Sequence, residues 1–147
     1  MNAGNAIKTA IAYLLSVIAA YLLSVAFYTQ QVIAKMQAVG AVYSGQQQIN
    51  TFVDNLTGLW QLAAMIAIAL MIAFVVAFFV KRVLKPLAPI AYPAAGGAAI
   101  LLMLYLIEQQ LGGGAGVIGG ARDATGLALQ TLAGFLGGAV FAFMRPR

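Results

Sequence analysis

The stretch Leu111 to Gly126 reads LGGGAGVIGGARDATG, and within it Gly114, Gly116 and Gly119 form a G-x-G-x-x-G pattern. That spacing brings backbone against a dinucleotide pyrophosphate when it follows a strand, opens a helix, and has an acid about 20 residues downstream for the ribose. Here it follows an apolar run long enough to be a membrane helix, and Asp123 is the last acid in the chain. The segment 112–120 is therefore read as a glycine-rich connector, and no nucleotide is expected as a cofactor. Its backbone could also lie close against a partner protein or lipid headgroups, since glycine permits close approach.

Other chemistry has few residues to draw on. There is no cysteine and no histidine, which removes disulfides, thiolate metal sites, His-ligated metals and His general bases. The acids are Asp54, Glu108 and Asp123. All three lie outside the middles of the apolar runs, and as a metal set they are weak. Glu108 closes one apolar run and is followed by Gln109 and Gln110. An acid in a membrane segment is a functional candidate by default, but a position at the end favours an interfacial acid paired with Lys35 or Arg122. Gln130 and Thr131 lie about two turns inside the last apolar run. A hydroxyl can bond the carbonyl four residues back; an amide such as Gln130 needs another helix or water, and interhelical bonding is the expectation. Glu108 and Gln130 are thus the two functional candidates. Asn55-Leu56-Thr57 has the form of a glycosylation triplet, but it abuts an apolar run and is discounted.

The elements that carry these residues follow from composition. Of 147 residues, 63 % are hydrophobic and 7 % charged, where a soluble domain carries about 25 % charged. So few charges cannot coat a globule against water, and a bilayer is the simplest surrounding. Four apolar runs, at about 6–27, 59–80, 87–107 and 124–144, each reach the roughly 20 residues needed to cross a bilayer core as a helix. Ser24-Val25-Ala26 resembles a leader cleavage site; the run around it is read as a retained span. The expected fold is an all-α integral membrane protein, one four-span domain over 1–147 packed as a compact bundle. In the polar loop 40–57, Ser44 and Gln47 stand in capping-box spacing and predict a short interfacial helix. Asp123 is placed to cap the last span. Pro86 and Pro89 suit the opening turn of the third span, and Pro93, slightly deeper, predicts a local bend.

Charge gives an orientation. Cytoplasmic loops carry an excess of Lys and Arg. With both termini inside, the cytoplasmic side receives Lys8, Lys81, Arg82, Lys85, Arg145 and Arg147, while Lys35, Arg122 and all three acids fall on the other side. Lys81, Arg82, Lys85, Arg145 and Arg147 are accordingly read as topology or lipid-headgroup anchors. The net charge of +5 comes from few acids rather than many bases, and nucleic acid is not an expected partner. A bacterial inner membrane, or the membrane layer of a lipid-containing virion, is the expected location.

Small residues recur at every fourth position: Ala12, Ser16, Ala20 and Ser24 in the first run, Ala69, Ala73 and Ala77 in the second, Gln130, Gly134, Gly138 and Ala142 in the last, with a further small-residue run from Ala94 to Ala99. In lipid, close backbone approach over such residues supplies helix packing. These stripes predict packing within the bundle, an assembly interface with another chain, or both, with Gly134-x-x-x-Gly138 the first choice for assembly. No catalytic, cofactor or metal site is expected, and the chain is not read as an enzyme. The expected function is a structural or accessory membrane subunit contacting the bilayer and other membrane chains. The alternative is a small transporter or oligomeric pore lined by Gln130, Thr131 and the serines of the first span.

Overall fold

The structure, a computed structural model, describes residues 3–110 and 123–146. The connector 112–120, Arg122 and Arg147 lie outside the described residues. Five α-helices follow one another: α1 (Ala3–Ala38), α2 (Gly45–Gly58), α3 (Trp60–Val83), α4 (Ala91–Gln110) and α5 (Ala124–Met144). Among the described residues there is no strand. Helices α1, α3, α4 and α5 are long and apolar enough to cross a membrane. They form an antiparallel bundle in which α5 packs between α1 and α4, and α3 closes the ring from α4 back to α1.

Local sequence explains most of the helix ends. At 36 residues, α1 is about 54 Å long, well beyond the roughly 30 Å of a bilayer core. Its apolar run ends near Phe27, but "TQQVIAKMQA" contains no breaker and stays helical. Termination comes at Gly40, whose φ of +96° is the left-handed conformation a side chain disfavours. The Gly40 N–H donates to the Gln37 carbonyl at 3.0 Å and the Ala41 N–H to the Met36 carbonyl at 3.0 Å, closing a Schellman turn. The predicted helix in the polar loop is α2, opened by the Ser44–Gln47 capping box. It runs to Gly58, and only Leu59 separates it from α3.

The third span starts later than its apolar run implies. Leu84 to Ile90 is taken up by a 3₁₀ turn over Lys85–Leu87 and a following turn, held by Leu87 N–H to Leu84 O at 3.0 Å and Ile90 N–H to Leu87 O at 3.1 Å. Pro86 and Pro89 belong to this connector, and α4 begins at Ala91, not Leu87. The predicted bend at Pro93 is corrected for the same reason. Pro93 falls in the first turn of α4, where its missing N–H is not needed and no helical carbonyl lies four residues back for its ring to strike.

The core is built from Ile66 and Leu70 of α3, Ile100 of α4 and Val25 of α1, all wholly buried. Near one end it becomes aromatic: Phe74 stacks on Phe141 at 4.4 Å between centroids and meets Tyr92 and Tyr13 edge-on at 5.7 and 6.5 Å. The outward faces are apolar as well. Ile68, Ile72, Val75, Val76 and Phe79 of α3 are all more than half exposed.

Candidate functional site

The small-residue stripes meet one another inside the chain. A Cβ added to Gly138 would fall on the main-chain carbonyl of Tyr92 in α4, and one added to Gly134 on that of Gly96. On the adjoining face of α5, a Cβ on Gly137 would lie 2.8 Å from Ala20 Cβ and 3.1 Å from the Ser16 carbonyl oxygen of α1. Helix α5 thus touches α4 and α1 at the level of bare backbone. Gly134 and Gly138, expected first as a contact with another chain, are buried and already covered by α4. That assembly expectation is corrected: the stripe is consumed within the bundle because Gly96 lets α4 approach equally closely. Ala12, Ser16, Ala20 and Ser24 are buried on α1, and Ala142 is half-buried against the core. Gly137 was not singled out by the sequence reading, although two adjacent glycines imply close approach on two helix faces.

Polar side chains in this interior are spent on helix carbonyls. Ser16 Oγ donates to the Gly137 carbonyl at 2.6 Å, and Gln130 Nε2 to the Ser24 carbonyl at 3.0 Å. The Tyr13 hydroxyl donates to Ala67 O and that of Tyr21 to Leu56 O, both at 2.6 Å. A helical carbonyl has a second lone pair beyond the one its own ladder uses, so such bonds cost the helix nothing. Thr131 instead bonds Leu127 O within its own helix at 2.8 Å. Gln130 is therefore an interhelical tie, buried between α5 and α1. Among the described residues, Ser24 Oγ is the buried side-chain oxygen without a hydrogen-bond partner.

At the end where α1 finishes and α5 starts, Asp123 Oδ1 accepts from the Gly126 N–H at 2.7 Å, the predicted cap, and Oδ2 lies 3.3 Å from Lys35 Nζ. The Gly126 bond, then Lys35, hold the Asp123 carboxyl below its ordinary value. The expected pairing of Lys35 with Glu108 is corrected accordingly: the extension of α1 brings Lys35 to Asp123, while Glu108 is exposed and, among the described residues, makes no ion pair. Nearby, Asn55 Nδ2 donates to Thr29 Oγ1 at 3.0 Å and ties α2 to α1. Among the described residues no three acids gather as a metal site.

The opposite end is basic and aromatic. Arg82 lies 4.2 Å from the Phe78 ring centroid, and Lys81 lies 5.5 Å from Phe78 and 5.1 Å from Tyr92. Arg145, at the end of α5, sits 5.5 and 5.3 Å from the same two rings and donates to the Tyr92 hydroxyl. The sequence reading named the three cations but missed Phe78 and Tyr92, which only the fold brings to Arg145. Lys85 is exposed in the connector.

Between α3 and α4, facing outward, is an apolar groove of about 500 Å³. Ala69, Ala73, Ala95, Ala98 and Ala99 are among its lining residues.

Comparison of the chain with known protein families, with characterised proteins and with solved structures gives no match.

Proposed function

We propose that this protein is a membrane-embedded structural or accessory subunit, crossing the bilayer four times with both termini in the cytoplasm. The observation that carries the reading is the spending of the interior. Ser16, Gln130, Tyr13 and Tyr21 each donate to a main-chain carbonyl of another helix, and the glycine faces are closed by backbone contact. A chain whose polar interior groups are tied to backbone has little left for a water-lined path. Four apolar helices with large hydrophobic side chains facing outward suit lipid surroundings, and the concentration of Lys and Arg at the end holding the described termini suits the cytoplasmic side.

In this reading another membrane helix seats in the α3–α4 groove, whose alanines allow the close approach that helix association in lipid depends on. The test is gentle detergent extraction followed by native mass spectrometry. Stoichiometric foreign membrane subunits that are lost from an Ala73→Trp variant would support the reading. A pure homo-oligomer that conducts ions in liposomes would replace it with the pore.

A further inference from the structure

We propose that the basic end of the bundle, where Lys81, Arg82 and Arg145 converge on Phe78 and Tyr92, is a binding site for a phosphate group. This goes beyond the accessory reading and holds whatever assembly the chain joins.

The argument is one of uncompensated charge. Three cations lie within 5.5 Å of two neighbouring ring centroids. Every acid of the chain lies elsewhere: Asp54 in α2, Glu108 in the last turn of α4 and Asp123 before α5, all toward the opposite end of the bundle. Helix ends offset little. The C-termini of α3 and α5 each bring about half a negative charge and the N-terminus of α4 about half a positive one, so together they leave most of the three positive charges in place. Ring faces attract cations but neutralise none of them. Lys8 adds to the excess. It stands two turns before Ser16 on the stripe that faces α5, and Ser16 bonds Gly137, so antiparallel register sets Lys8 level with Arg145.

The donors suit phosphate in particular. Two arginines offer planar forks that match phosphate oxygens two at a time, and Lys81 adds a mobile ammonium. Tyr92 supplies a second, independent pointer. It is 4 % exposed, its hydroxyl accepts from Arg145, and among the described residues its own O–H donates to nothing. A buried hydroxyl with an unspent proton beside three cations is a donor waiting for an anionic acceptor. The same chemistry describes an anionic phospholipid headgroup and free phosphate, and the experiment separates them.

The full-length protein in neutral detergent is titrated with phosphatidylglycerol and with phosphatidylcholine, and retention is read by native mass spectrometry. Phosphatidylglycerol is expected to be retained roughly tenfold or more over phosphatidylcholine, the range of charge-assisted hydrogen bonds. The double variant Lys81→Gln/Arg145→Gln is expected to lose that preference, and Lys35→Gln, at the other end, to keep it. If the double variant fails to fold, Tyr92→Phe keeps the ring and should still weaken retention several-fold, and added salt should erode phosphatidylglycerol retention in the wild type. Retention unchanged by millimolar inorganic phosphate identifies a lipid headgroup; displacement by it identifies free phosphate as the occupant. The proposal is overturned if the wild type neither prefers phosphatidylglycerol nor binds inorganic phosphate, or if a folded double variant or Tyr92→Phe behaves as the wild type does.

Discussion

Helices α5 and α3 are both apolar spans, yet they hold the bundle in opposite ways. Helix α5 meets α4 and α1 through Gly134, Gly137 and Gly138, backbone against backbone, with hydrogen bonds from Ser16 and Gln130 across the contact. Helix α3 meets α4 and α1 through large side chains, Leu62, Ile66, Leu70 and Phe74, and leaves a groove on its α4 side. The difference matters because lipid is as apolar as leucine. Side-chain burial gains little there from the hydrophobic effect, and shape-matched close approach gains more. The α1–α5–α4 contact is the rigid part of the molecule, and the outer face of α3 is where a partner could be accommodated without disturbing it.

The largest effect expected is at the glycines. Gly138→Leu or Gly134→Leu drives a side chain into the backbone of α4, where nothing can rotate away, and should cost roughly 3 kcal/mol or more. Ala73→Leu, in the groove, should stay within about 0.5 kcal/mol in the isolated chain. Unfolding titrations in mixed micelles measure both, and equal losses would erase the contrast between the two helices. Next comes Phe74→Ala, which removes the ring stacked on Phe141 and edge-on to Tyr92 and Tyr13. The cost should be about 3 kcal/mol, releasing α3 while the α4–α5 contact persists. Cross-linking of single cysteines on each helix pair would show which contact survives.

Smaller effects are expected from the polar ties. Ser16→Ala and Gln130→Leu should each cost about 0.6 kcal/mol, with about 1.7 as the upper end seen for interhelical hydrogen bonds. A double-mutant cycle with Gly137→Ala would show whether the Ser16 bond depends on the close approach. The smallest effect is at Asp123. Its folded carboxyl is held below the unfolded value by the Gly126 N–H and Lys35, so its contribution is complete above the unfolded value near 3.9 and is lost as pH falls through the folded one. The thermal midpoint of Asp123→Ala should sit slightly below that of the wild type from pH 5 to 8, and the gap should close below about pH 4.

Much of this fold is legible in the order of residues. Uninterrupted apolar length marks the four spans, the Ser44–Gln47 and Asp123 caps mark two helix starts, and the four-residue spacing of small side chains marks the faces that pack. Which face meets which is not a local property. Gly138 has the same spacing whether it faces Tyr92 or another protein, and only the arrival of Gly96 from α4 decides. Lys35 reaches Asp123 rather than Glu108 because α1 continues past its apolar run. The start of α4 was misplaced because Pro86 and Pro89 sit in a run that hydropathy alone counts as membrane. Phe78, Tyr92 and Arg145 are joined by topology alone, so the basic aromatic end could be read only as scattered anchors.

The central claim, four crossings with the basic end in the cytoplasm, is tested most directly by thiol labelling. The chain has no cysteine of its own, so single substitutions report cleanly. In intact cells a membrane-impermeant maleimide should label Gln48→Cys in α2 and spare Asn5→Cys and Pro146→Cys, which should react only after the membrane is opened. Labelling of both terminal sites from outside, or of all three equally without permeabilisation, would contradict the account.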